Sequence, residues 1–508
     1  MPTSRSRRWL ALGALAVAML TIGLDTTVLT VAVPTLAVDL DASNAQLQWF
    51  ASAYTLVLAA VLLPAGSLGD RFGRKRFLLA ALLLFGAASV FCAYAGSAGT
   101  LIAARAALGL GAAIMMPLSM AVVPVLFPDS RERGRALTIW VTSTAVGLPL
   151  GPIVGGWLLE HFWWGSIFLI NVPLVVVGVV AVALFVPESR GSGTRPIDVL
   201  GILLSSAGLL GLTYGFIRIG ADGWSSVADW ALIAAGVAVL ALFVVRQRRA
   251  AYPLIDLDLF RSRGFTLGSA LATVINFAMF GLLFLVPQFL QAVGGASSLS
   301  TGVRLLPMIG GLLVGTRLGG RLARAFGPGT LIGAGFVLLT IALGLGATTT
   351  IDTGYGWTAT WIALLGAGMG LAMPATMGVA MDALAVERAG SGSAVIQALR
   401  QAGGTIGVAV LGTVVSAGYQ SGLGDAAVRP VSDSVAAGVA VARARGDGTL
   451  LDTVRAAFVD GMNQTLWVCV AMCALAAVVA FALLPRRLAV PAETGPRPAP
   501  VAESAHAG

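Results

Sequence analysis

Apolar runs of about 20 residues recur along nearly the whole chain, separated by short polar or charged segments. Each is long enough to cross roughly 30 Å of hydrocarbon as a helix, a form that satisfies its own backbone N–H and C=O groups in lipid. The pattern predicts fourteen spanning helices, at about 9–33, 49–68, 77–95, 101–125, 136–159, 167–186, 199–217, 229–246, 265–290, 304–321, 329–349, 357–379, 392–416 and 464–484. No soluble domain is visible between them. The longest polar stretch runs from Gly418 to Asn463 and reads as a long outer loop, 417–463. Within it Leu450, Leu451, Val454 and Phe458 fall at helical spacing, which predicts a short interfacial helix. The expected fold class is an all-α integral membrane protein.

Basic residues orient the spans. With residues 1–8 as a cytoplasmic N-terminus, the clusters Arg5/Arg7/Arg8, Arg71/Arg74/Lys75/Arg76, Arg131/Arg133/Arg135, Arg246/Arg248/Arg249 and Arg486/Arg487 all fall on the cytoplasmic side. The short outer loops are nearly free of Lys and Arg. An even span number places both termini in the cytoplasm. A repeat supports the layout: Gly66, Leu68, Phe72 and Gly73 reappear 254 residues later as Gly320, Leu322, Phe326 and Gly327. The same shift carries span 1 onto span 9. Gly109-Leu110-Gly111 with Pro117 is echoed by Gly368-Met369-Gly370 with Pro374. The expected organisation is a six-helix half at 9–186, a central segment 187–262 with two extra helices, a second six-helix half at 263–487, and a disordered cytoplasmic tail at 488–508.

Composition narrows the class. The 508 residues are 57% hydrophobic and 11% charged, with a mean hydropathy of +0.90, which excludes an ordinary soluble chain. The net charge of +9 comes from small clusters between apolar runs, not from a nucleic-acid-binding face. Of the 32 basic residues only Lys75 is a lysine, and Ala, Gly and Val abound, as in a GC-rich bacterial genome. Cys92, Cys469 and Cys473 lie in apolar runs and read as packing residues. Two histidines, His161 and His506, leave no metal cluster. The apolar run after Arg8 extends to about Val33 and contains Asp25, so it reads as a retained helix and not a cleaved leader.

Four motifs carry chemistry. In span 1, Leu24-Asp25-Thr26-Thr27-Val28-Leu29-Thr30-Val31-Ala32-Val33-Pro34 sets one carboxylate, Asp25, deep in hydrocarbon. Burial there favours the neutral form and a nearby cation favours the charged one, so such a group can load and release a proton. In span 4, Arg105 within Leu101-x-x-x-Arg105-x-x-Leu108-Gly109-x-Gly111 is a buried cation that needs Asp25 or a backbone carbonyl. In span 5, Gly147-x-x-x-Gly151-Pro152-x-x-Gly155-Gly156 gives small residues at helix-packing spacing, with a proline that removes a donor. Between spans 2 and 3, Gly66-Ser67-Leu68-Gly69-Asp70-Arg71-Phe72-Gly73-Arg74-Lys75-Arg76 is a tight polar turn. Its Asp70 is placed to cap the next helix and to pair with an arginine.

Together these motifs resemble the 14-helix drug:proton antiporter branch of the major facilitator superfamily over the whole chain. Two positions depart from it: Thr30 replaces an Asn, and Leu108 replaces a Gln. The resemblance implies a proton-coupled antiporter that exports drugs or antibiotics by alternating access, with Asp25 and Arg105 coupling the proton. It implies that Gly147, Gly151, Pro152, Gly155 and Gly156 seal the cavity against proton leak. It makes Gly66, Asp70, Arg71, Gly73 and Arg74 a conformational latch. An exporter of a single metabolite is the alternative, and a membrane enzyme or a non-transporting sensor a distant one. No ATP-binding loop, H-E-x-x-H or nucleophile elbow is present, so the chain is not expected to be an enzyme.

Weaker signals remain. Trp164-x-x-Ile167-Phe168-Leu169-Ile170-Asn171-Val172-Pro173 resembles a family stretch that opens span 6 without naming a role. Asn276, Gln288, Gln397, Arg400, Met116 and Phe280 are candidates to line the cavity. Neutral or anionic lipophiles suit Arg105 or Arg400 as well as cations suit Asp25. The expected partners are a small lipophilic substrate, protons and membrane lipid, for a monomer without cofactor in a bacterial cytoplasmic membrane.

Overall fold

A computed structural model describes residues 5–190, 198–322, 325–384 and 389–484. Among them every regular element is helical: α1 (Arg5–Asp39), α2 (Asn44–Phe72), α3 (Arg74–Ala93), α4 (Ala98–Leu126), α5 (Ser130–His161), α6 (Ser166–Leu169), α7 (Asn171–Phe185), α8 (Val199–Asp222), α9 (Val227–Arg249), α10 (Arg263–Gln288), α11 (Ser298–Arg304), α12 (Leu306–Leu322), α13 (Pro328–Gly346), α14 (Tyr355–Asp382), α15 (Ala389–Leu423), α16 (Val435–Arg445) and α17 (Gly448–Leu483). Thirteen helices among the described residues are long and apolar enough to cross a membrane. The 32 residues of α5 make a further helix of spanning length. The expected tail at 488–508 lies outside the described residues.

Local sequence explains the helix ends. Ser43 caps α2 and Ser97 caps α4, each in a reciprocal capping box with the residue three positions on. Gly73, with φ of +104°, makes the sharp break between α2 and α3, a conformation that an L side chain rarely adopts. Span 6 is interrupted at Ile170, between α6 and α7, and span 10 at Leu305, between α11 and α12.

The region predicted as a long outer loop is largely helical. α15 continues to Leu423, α16 occupies 435–445, and α17 begins at Gly448. Leu450, Leu451, Val454 and Phe458 belong to the first turns of α17 and not to a separate interfacial helix. Their apolar face packs on protein: Val454 and Phe458 are buried in the second core beside Tyr419 and Val439.

Two apolar cores are present. One is built mainly from residues 11–186 and the other from 271–484. Helix pairing repeats between them: α1–α5, α2–α4, α3–α4 and α3–α7 recur as α10–α15, α12–α14, α13–α14 and α13–α17. The hairpin α8–α9 lies outside both cores, with a small cluster of its own at Leu212, Ile219 and Ile233. Ion pairs clip its two ends, Arg246–Asp198 at 3.0 Å and Arg218–Asp229 at 2.9 Å. Asp229 is fully buried, so Asp25 is not the only carboxylate sealed inside a spanning helix.

Hydrogen bonds join the halves at the end opposite the termini, here the loop end. Gln291 Nε2 donates to the Val31 carbonyl (2.8 Å), the Leu299 amide to Glu160 (3.2 Å) and the Asn44 amide to the Asp433 carbonyl (2.7 Å). Midway along the spans, Thr405 donates to Thr55 at 2.8 Å.

Candidate functional site

The polar centre of the first half is a sealed ion pair. Asp25 is 0% exposed and Arg105 2%. Arg105 Nη1 donates to Asp25 Oδ2 at 2.9 Å, and Arg105 Nε donates to the Phe50 carbonyl at 3.0 Å. Both partners foreseen from the sequence are therefore used. The guanidinium also lies 4.7 Å from the Tyr54 ring and 5.9 Å from that of Phe168, within cation–π range. An ion pair in a dry interior is retained only where hydrogen bonds complete it. Here the Phe50 carbonyl and Asn171 do so.

Asn171 is the residue that sequence reasoning missed. It is fully buried at the break between α6 and α7. Its Nδ2 donates to Asp25 Oδ1 at 3.0 Å and to Ser89 Oγ at 3.2 Å. An Asn in an apolar run names no partner by itself. The available signal was that Asn171, Asp25 and Arg105 are the strongly polar side chains of spans 6, 1 and 4 and must find one another in a dry core.

Helix α5 holds α1 against this centre through its glycine stripe. A Cβ on Gly147 would stand 2.7 Å from the Leu20 carbonyl, and one on Gly151 would run into Thr27 and the Leu24 carbonyl. Thr27 donates to the Leu148 carbonyl at 2.8 Å. Gly155 faces Val28, while Gly156 faces the backbone of Ser298 and Leu299. Gly302 of α11 sits against the Pro152 carbonyl. The glycine motif of α5 thus packs on both the carboxylate-bearing helix and the second half.

A small cavity of about 30 Å³ lies between the halves. Thr26, Thr30, Tyr54, Thr55 and Arg105 line it from the first half, and Phe280, Phe284 and Val408 from the second. Of the candidates named from sequence, Phe280 lines it. Asn276 and Gln288 are buried and donate within their own helix, to the Ala272 and Phe284 carbonyls. Met116 packs on the first core. Gln397 and Arg400 bond to each other.

At the turn after α2, the start of α3 receives a carboxylate that the sequence did not point to, Glu188, which accepts from the Lys75 amide at 3.1 Å and the Arg76 amide at 3.3 Å. Arg74 donates to the Ala121 carbonyl at 3.1 Å, and Arg71 stacks on Phe72. Gly66 approaches Pro117 of α4. The side chain of Asp70 lies outside the described residues.

Comparisons with known proteins agree with this architecture. The family model described as Major Facilitator Superfamily matches residues 15–408. The chain is 33% identical to the tetracenomycin C resistance and export protein of Streptomyces glaucescens, over 98% of this chain and 95% of that one. It is 35% identical to the multidrug efflux pump LfrA of Mycolicibacterium smegmatis, over 95% and 97% respectively. Among solved structures, a bacterial homologue of the lysosomal transporter Spinster, inward-facing and occupied, superimposes with a TM-score of 0.70 at 18% identity, covering 94% of this chain and 97% of its own. A D-xylose–proton symporter gives 0.64 at 15% identity, covering 94% and 98%. With its paired helical halves, its motifs and these relatives, the chain belongs to the major facilitator superfamily.

Proposed function

We propose that the protein is a proton-coupled antiporter that exports lipophilic drugs or antibiotics from a bacterial cytoplasm across the inner membrane. The observation that carries this reading is a sealed carboxylate, Asp25, whose guanidinium partner Arg105 itself walls the cavity between the halves. A proton on Asp25 would neutralise it and free Arg105, coupling protonation to the cavity wall. The family and the two efflux relatives support drug export as the outcome. Contacts at the loop end and the arginine distribution support a state closed on the outside, with both termini cytoplasmic. Inward proton flow would supply about 2.3 kcal/mol per charge per 100 mV, plus the pH term. The tetracenomycin relative also favours a narrower reading, a pump dedicated to one self-made metabolite.

The test is export from inverted vesicles under an imposed pH gradient, wild type against Asp25→Asn. Loss of gradient-driven export in a variant that still inserts supports the reading. Wild-type flux in Asp25→Asn would remove Asp25 from the coupling step.

A further inference from the structure

The buried charged side chains among the described residues are Asp25, Arg105, Asp198 and Asp229, and each has an ion-pair partner. Arg400 breaks that rule. It is half-buried on α15, and its Nε is sealed from water without a hydrogen bond. Nη1 donates to Gln397 Oε1 at 2.9 Å, a neutral acceptor one turn away. No carboxylate among the described residues pairs with it. Beside it, Gln401 Oε1 is buried and accepts nothing.

Its position points to the space between the halves. One turn further along α15, the Phe280 ring lies against Gly404, and Phe280 is a wall of the cavity. Thr405 bonds to Thr55, and Val408 lines the same cavity. Arg400 therefore stands about 12 Å down the helix from Val408, toward the terminal end.

A guanidinium left this way inside a span is expensive. The other guanidinium deep in a span, Arg105, spends its donors on a backbone carbonyl and an acid, Phe50 and Asp25. Arg400 keeps donors in reserve. Arg105 is neutralised by Asp25, whereas Arg400 carries its charge with no counter-charge among the described residues. Its planar fork matches a carboxylate or phenolate oxygen.

We propose that Arg400, oriented by Gln397, is an anion subsite of the transport path and takes the carboxylate or phenolate of an otherwise lipophilic substrate. The inference rests on the transport reading only in taking the space between the halves as the path. It is tested by equilibrium binding to the full chain in lipid nanodiscs with no gradient, so the result does not depend on whether Asp25 carries the proton. The probes are fluorescein, a lipophilic anion, and ethidium, a lipophilic cation, followed by fluorescence anisotropy. Arg400→Gln should weaken fluorescein binding about tenfold or more, while ethidium changes less than about threefold. Gln397→Glu is the second variant. It supplies an internal counter-charge, so it should match or exceed wild-type heat stability and yet lose fluorescein binding. Failure of the wild type to bind fluorescein, or equal binding by either variant, would overturn the proposal.

Discussion

In the first half Asp25 on α1 and Arg105 on α4 form a sealed pair. Shifted by 254 residues, Asp25 becomes Met279 on α10. In the glycine-rich stretch that recurs 259 residues on, Arg105 becomes Leu364 on α14. Met279 and Leu364 both pack on the second apolar core. The glycine contacts behave otherwise, because they survive in both halves. Gly147 and Gly151 bring α5 against α1, and Gly403 and Gly407 bring α15 against the backbone of Thr273 and Phe277 on α10. Close helix approach is a requirement of the fold and is met twice. The ion pair is not such a requirement, since the second half packs the same helix pairs around apolar side chains. A charged pair that packing does not need is free to serve the proposed proton coupling.

The hardest test of that contrast copies the second half into the first. Arg105→Leu alone leaves Asp25 buried and uncompensated, and should cost about 3–5 kcal/mol of stability. Asp25→Met combined with Arg105→Leu reproduces the Met279/Leu364 arrangement and removes both charges together. The double variant should recover most of the lost stability and still export nothing against a pH gradient. Thermal unfolding in detergent and vesicle flux read the two effects separately. If the double variant stays as unstable as Arg105→Leu, the pair is structural and the contrast between the halves fails.

Much of this was legible from sequence, for a physical reason. Hydropathy reported the spans because lipid forbids unsatisfied backbone over about 20 residues. The motif glycines reported helix contacts because a Cβ has no room at Gly147 or Gly151. Asp25 and Arg105 drew attention because charges in hydrocarbon are costly. What stayed hidden were partnerships across long sequence separations. Asn171 lies 146 residues from Asp25, and Glu188 lies 113 from Lys75, whose amide it accepts. Neither spacing carries a period. The amphipathic run at 450–458 was misplaced because its apolar side fits a membrane surface and a protein core equally well.

Asn171 asks whether the chemistry of the first half is a pair or a wider network. Asn171→Leu removes a donor to a charged group, worth about 1.5–3 kcal/mol, and should lower gradient-driven export about tenfold. Ser89→Ala should change it less than about threefold, since Ser89 reaches Asp25 only through Asn171. Equal losses in the two variants would make Asn171 a packing residue. Export rates normalised to protein in the vesicle separate these outcomes.

The hairpin α8–α9 supplies the smallest expected effect and the control for location. Partial burial of Asp198 disfavours its charged form, but the Gly201 amide, Gln247 and Arg246 outweigh burial and hold the carboxyl below its ordinary value. A carboxyl depressed in the folded protein contributes stability above its unfolded pKa, about 3.9, and that contribution is lost as pH falls through the folded value. Asp198→Asn should therefore lower the melting temperature slightly at pH 7, with the difference from wild type closing below about pH 4. Export should be unchanged, because the hairpin lies outside both cores and does not line the cavity. A large loss of export in Asp198→Asn would extend the chemistry beyond the first half and remove the basis for comparing the halves alone.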